Sequence, residues 1–181
     1  LIIMKYFDEL KRSMEFIASK ENTLFVGQAV EYEGTAMSNT LQEVESKKLF
    51  ELPVAEEFQM GASIGLAMGG FIPVSIYPRW NFLILAANQL INHLDKMKEI
   101  SNDGFAPKVI IRTGIGSERP LHPQHQHIGD FTEAFKILLK HINVVRLEEP
   151  EEIFPSYKEA LEREDGVSTL LIEYGDYYSL K

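Results

Sequence analysis

The chain reads as an α/β protein: a parallel sheet with helices on both faces. Three observations predict this. Short apolar runs of strand length alternate with segments of helical spacing along all 181 residues. The strand-like runs are nearly continuous in apolar residues, as in Lys108-Val109-Ile110-Ile111-Arg112, which is the pattern of strands buried on both faces. Consecutive strands are separated by helix-length segments, the spacing that parallel crossovers need. The length suits one sizeable domain, taken as residues 1–181, and no linker, internal repeat or low-complexity tract divides it.

The elements follow in order. Phe7, Leu10, Met14 and Ile17 share one face of a helix over residues 5–19. Leu24-Phe25-Val26 is a short buried strand that ends at Gly27. Residues 33–47 are polar and turn-rich and predict a long loop with a helical turn near 41–44; residues 48–52 then run extended. A helix with Gly61, Ala62, Ser63, Gly65 and Ala67 stops at Gly69-Gly70. Residues 71–76 form a strand with Pro73 near its start. Trp80, Leu83, Ile84, Ala87, Leu90, Ile91, Leu94 and Met97 predict one amphipathic helix over 80–98. A turn cluster spans 101–107, a strand 108–112, and a loop rich in Gly and His follows. Helix 131–141, strand 142–147, helix 151–164 and strand 168–174 complete the chain.

Composition narrows the function classes. The formal charge of −9 argues against nucleic acid or an anionic membrane as partner. With no cysteine there is no disulfide frame, thiol nucleophile or thiolate metal site, and the expected location is a reducing one, the cytoplasm. Residues 1–4 are too short for a signal peptide, and the apolar stretch 82–94 is interrupted by Asn88, Gln89, Asn92 and His93.

Ligands of such sheets bind beyond the carboxyl ends of the strands. Four segments meet there: residues 27–31, the corner at Glu56, the turn 77–82 and the loop 113–130. Leu52-Pro53-Val54-Ala55-Glu56-Glu57 puts a carboxylate where an extended segment turns into the small-residue helix. A helix-start charge favoured by the dipole explains such a carboxylate on its own. The small residues behind it let a second backbone or a flat ligand come close. His122, His125 and His127 lie in one loop; that spacing opens a metal reading, although no carboxylate or cysteine pattern accompanies it.

These segments resemble, in order and over nearly the whole chain, the beta subunit of the 2-oxoacid dehydrogenase decarboxylase component, and more broadly the pyrimidine-binding domain of transketolase-like enzymes. Phe25-Val26-Gly27-Gln28-Ala29-Val30 is similar to that family's first strand and its Gly-Glu-Asp-Val turn. Residues 52–67 are similar to its proline, glutamate and glycine-rich helix, and Asn88-Gln89-Leu90-Ile91-Asn92 to its Asp-Gln-hydrophobic-hydrophobic-Asn helix. Ile110-Ile111-Arg112-Thr113 is similar to its Ile-Arg strand end. Pro123-Gln124-His125 with Thr132-Glu133-Ala134-Phe135 is similar to its Pro-Gln-His and Glu-Ala-Phe pair.

The resemblance implies a single pyrimidine-binding domain and thiamine diphosphate as cofactor. It implies that Glu56 hydrogen-bonds a ring nitrogen of the aminopyrimidine, with Glu57 as the solvent-side or capping charge. Phe82 falls where the family places an aromatic against the pyrimidine, and core packing explains it equally. His125 is the implied contact to substrate, with His127 as an alternative of equal chemistry. Gln28 departs from the family's usual glutamate. No Gly-Asp-Gly with a downstream asparagine is present, so magnesium and the diphosphate are expected on an alpha-type partner subunit, most simply in an α2β2 assembly. The chain stops after its last strand, where the family's beta subunit continues into another domain, so it is expected to be either a fragment or a stand-alone pyrimidine-domain subunit. The expected role is therefore the pyrimidine-binding subunit of a two-component 2-oxoacid dehydrogenase or decarboxylase. The alternatives are a split transketolase-like subunit acting on ketose phosphates and a non-catalytic scaffold or regulatory partner of the same fold.

Overall fold

Six strands, β1 (Thr23–Gly27), β2 (Leu49–Glu51), β3 (Ile72–Tyr77), β4 (Ile110–Ile115), β5 (Asn143–Arg146) and β6 (Thr169–Tyr174), build one sheet in the computed structural model. Their order is β2-β1-β3-β4-β6-β5, and every neighbouring pair is parallel. The structure describes residues 5–32, 35–116 and 122–180. Glu33 and Gly34 of the first long loop, and residues 117–121 of the Gly- and His-rich loop, lie outside them.

The sheet is covered on both faces, as the apolar runs predict. Alternate residues feed two cores. Val74, Ile76, Ile110 and Leu171 point into one, with α1 (Tyr6–Ala18), α2 (Ala36–Asn39) and α7 (Pro150–Glu162). Tyr77, Ile111, Leu170 and Ile172 point into the other, with α3 (Glu56–Met68) and the helical run that starts at α4 (Trp80–Leu83). Each fully buried Leu, Ile or Met contributes about 1.5–3 kcal/mol through removal from water. Pro73 sits in β3 before its ladder with β4 starts at Val74, where a missing N–H does least harm.

Three elements differ from expectation. The run after Trp80 is not one α-helix. It passes from α4 through a tight turn at Ile84–Ala86, a π-turn at Gln89–His93 and another tight turn at Leu94–Lys96 into α5 (Met97–Ile100). The buried stripe survives as Trp80, Leu83, Ala86, Leu90 and Leu94. Hydrophobic spacing reports which face is buried, and it is blind to whether each backbone bond closes at i−3, i−4 or i−5. On α1, Tyr6 rather than Phe7 heads the buried face, because its hydroxyl donates to Leu147 O (2.7 Å) and accepts from Tyr174 N (3.0 Å). The helical turn of the first long loop lies at α2, before 41–44, where Thr35 and Ser38 cap each other reciprocally.

β4 also runs on past the apolar stretch to Ile115, carrying Arg112 into the sheet opposite Leu171 of β6. Arg112 is buried because Glu173 receives it: Nε to Oε1 is 2.5 Å and Nη2 to Oε2 is 3.0 Å. Thr40 Oγ1 (2.8 Å) and Tyr178 OH (3.2 Å) take further guanidinium N–H groups, and Tyr157 donates to Glu173 at 2.5 Å. The short α8 (Tyr177–Leu180), which follows the last strand, supplies Tyr178, whose hydroxyl also donates to Glu173. α6 (Thr132–Leu138) stops short of residue 141. The buried Asp95 carboxylate there accepts from Lys140 N, His141 N and Ile142 N at 2.8–3.1 Å and turns the chain toward β5.

Candidate functional site

The sheet order brings the carboxyl ends of β1, β2 and β3 together, and α3 starts above them. Glu56 is the first residue of α3 and is 5 % exposed. Among the described residues, the side-chain hydrogen bond to its carboxylate comes from Gln28, whose Nε2 donates to Oε1 at 3.1 Å. Tyr77 OH donates to the Glu56 backbone carbonyl at 3.4 Å. Burial pushes the Tyr77 hydroxyl well above its ordinary range, although its bond with Ser75 pulls the other way, so it stays a donor.

Glu56 forms part of the wall of an open groove of about 710 Å³ together with Ala55, Glu57, Phe58, Gly61, Ala62, Leu85 and Gln89. Its walls are largely apolar and open: Phe58 is 59 % and Leu85 61 % exposed. A Cβ built on Gly61 or Gly65 meets no atom within 4 Å. Glu57 is exposed and accepts from Asn88 Nδ2 and Gln89 Nε2, both at 3.3 Å, which ties α3 to the π-turn.

Glu56 is held from below by the turn at 27–31, and that turn is held by Glu51, which sequence reasoning did not single out. Gly27 closes β1 at φ +157°, and a Cβ there would meet Ile76 O at 2.4 Å, so only glycine lets the chain pass. Ala29 then adopts φ +56°, the left-handed region. The N–H groups of Ala29, Val30 and Glu31 converge on the Glu51 carboxylate at 2.7, 2.8 and 3.1 Å. This is a backbone nest that a side chain of the same protein fills. A lone acid at the end of an extended run was the signal available for Glu51, and the departure at position 28 was the signal for Gln28.

The histidines separate. His127 is half-buried and packs on Phe82, with ring centroids 5.0 Å apart and 39° between planes. Arg79 braces this pair: its Nη1 donates to His127 O and to Gly116 O, both at 2.8 Å. Burial lowers the Arg79 pKa, and Asp176 opposes that shift. Phe82 thus meets His127 and is not among the residues that line the Glu56 groove. His125 is exposed, and His122 Nδ1 accepts from Gln124 N at 3.0 Å. Among the described residues no three His, Asp or Glu side chains converge to hold a metal. His93 and His141 are exposed, the latter 2.9 Å from Glu99, as expected of surface positions. No helix among the described residues is long and apolar enough to cross a membrane.

No family model matches the chain. It is 26 % identical over 180 residues to the pyruvate dehydrogenase E1 component subunit beta of Gracilaria tenuistipitata var. liui, covering 97 % of this chain and 54 % of that protein. It is 25 % identical over 118 residues to the 2-oxoisovalerate dehydrogenase subunit beta of Bacillus subtilis (strain 168), covering 63 % of this chain and 36 % of the relative. A solved split gene transketolase, an inactive beta4 tetramer, superimposes on 92 % of this chain and 49 % of its own, with a TM-score of 0.66 and 18 % identity. The chain therefore resembles E1 beta subunits of 2-oxoacid dehydrogenases and has a transketolase-like fold. It spans about half or less of the length of these curated relatives.

Proposed function

We propose that this chain is the pyrimidine-binding subunit of a two-component, thiamine-diphosphate-dependent 2-oxoacid dehydrogenase or decarboxylase, with Glu56 as the group that activates the aminopyrimidine. The observation that carries this reading is a buried carboxylate, one oxygen held by Gln28, on the wall of an open groove at the carboxyl edge of a parallel sheet. Likeness to one E1 beta subunit over 97 % of the chain supports it.

The residues present fit half of the cofactor. An aminopyrimidine needs an acceptor for its ring nitrogen, and Glu56 offers one. Thr113 Oγ1 and His127 Nδ1, in or near the same sheet edge, are buried with no hydrogen-bond partner among the described residues, a state that a bound polar molecule would relieve. In this reading the diphosphate and its magnesium sit on an alpha-type partner, in an α2β2 assembly, as the sequence's lack of a Gly-Asp-Gly with a downstream asparagine implies. When bound, the cofactor would supply the electron sink for decarboxylation. This chain's own part is to hold and return a proton at the Glu56 carboxylate, inside a site closed to water by the partner. The open groove beside Phe58, Leu85, Gly61 and Gly65 is the surface that partner covers. Phe82 flanks the pyrimidine, and His125 or His127 acts on substrate as hydrogen-bond donor or proton carrier.

The test is Glu56→Gln in the reconstituted complex. The expected loss of turnover is about 10²–10⁴-fold, the range for a general acid–base group, with assembly intact. Near-normal turnover would overturn the reading. A panel of 2-oxoacids against ketose phosphates then identifies the substrate class.

A further inference from the structure

We infer that Glu51 is a positioning residue for Glu56, acting through Gln28; the inference rests on the proposed role of Glu56. Three successive N–H groups, from Ala29 to Glu31, all point at one carboxylate. Without that charge the nest would leave three donors converging on nothing, and Ala29 would have little reason to stay at φ +56°. Hydrogen bonds to an ionised acceptor are the strong class, so Glu51 locks the turn more firmly than a neutral acceptor could.

The consequence reaches Glu56 by one residue. Gly27 is pinned by the close approach of Ile76 O, and Ala29 is pinned by Glu51. Gln28 lies between two fixed points, and its amide donates to Glu56 Oε1. That donor occupies one carboxylate oxygen, and among the described residues Oε2 is left as the oxygen for a ligand. An amide at position 28 also keeps Glu56 free of a competing acid: a carboxylate there would repel the Glu56 carboxylate or share a proton with it. Glu51 itself touches neither the groove nor Glu56, so its effect is geometric.

The experiment is a double-mutant cycle on the full chain, read first without the cofactor. In the wild type, the Gln28 side-chain NH₂ pair should show the shifted, slowly exchanging NMR signals of a carboxylate-bound amide. Glu51→Gln should move those signals toward free glutamine and speed amide exchange at Ala29, Val30 and Glu31 about tenfold or more. In the assembled complex it should lower kcat about 10- to 100-fold with KM for the 2-oxoacid little changed. Gln28→Met should do the same, and the double variant should be no worse than either single one. Glu51→Asp, which keeps the charge but draws it back by one methylene, carries the same expectation if Glu51→Gln does not fold. Unchanged Gln28 signals in the Glu51 variants, or losses that simply add, overturn the inference. Failure of the underlying reading shows separately, as full turnover in Glu56→Gln.

Discussion

Glu173 and Glu56 are both buried carboxylates, and the structure completes one and leaves the other open. Glu173 is fully buried, and its two oxygens receive the Arg112 fork and the hydroxyls of Tyr157 and Tyr178. Burial and the adjacent Glu173 charge push both tyrosine hydroxyls well above their usual range, so they remain donors. For Arg112, burial alone disfavours the cation, and the Glu173 carboxylate outweighs it, so the pair stays ionised. Glu56 is nearly as buried and, among the described residues, has a single amide donor to its carboxylate. A carboxylate whose acceptor sites are all answered belongs to the fold. One with an oxygen to spare, on the wall of a groove, has capacity for a ligand.

The largest effect that breaks this comparison is on the closed side. Arg112→Met leaves Glu173 buried without its cation and should destabilise the chain by about 3–5 kcal/mol in denaturant melts. Glu56→Gln should leave the same melt almost unmoved, because among the described residues only one neutral donor is disturbed. A similar loss in both variants would erase the distinction. Next in size is Asp95→Ala, which strips the acceptor from three backbone N–H groups and should lower stability by about 1–3 kcal/mol. The smallest effect sharpens the open side. Gly65→Ala adds a methyl that meets nothing and improves helix propensity, so the chain alone should gain about 0.5–1 kcal/mol. If the partner covers this face, the same variant weakens association, measured by analytical ultracentrifugation of the mixed subunits.

Much of the architecture was legible before any coordinates. Continuous apolar runs marked the strands, and the two-faced burial of Ile110 against Ile111, or Leu170 against Leu171, is what such runs encode. Glu56 was legible as the acid at the entry of a small-residue helix, and Glu57 as its solvent-side neighbour. Less was legible where polar atoms carry the contact. Tyr6 was passed over for Phe7, because a hydroxyl's partner is invisible in spacing. The run from Trp80 to Ile100 kept its buried stripe while its backbone bonding changed five times.

The sequence by itself determined the order of strands and helices, the two apolar cores and the place of Glu56, because these depend on periodicities of two and 3.6 within short windows. Only the tertiary structure decided which charges are partners. Arg112 and Glu173 are 61 residues apart, Asp95 and the N–H of Lys140 45, Gln28 and Glu56 28. Such pairs are set by the sheet order β2-β1-β3-β4-β6-β5, which places β4 beside β6 and the ends of β1 and β2 under α3. A side chain's local pattern carries its burial, whereas its hydrogen-bond partner depends on what the fold brings opposite it.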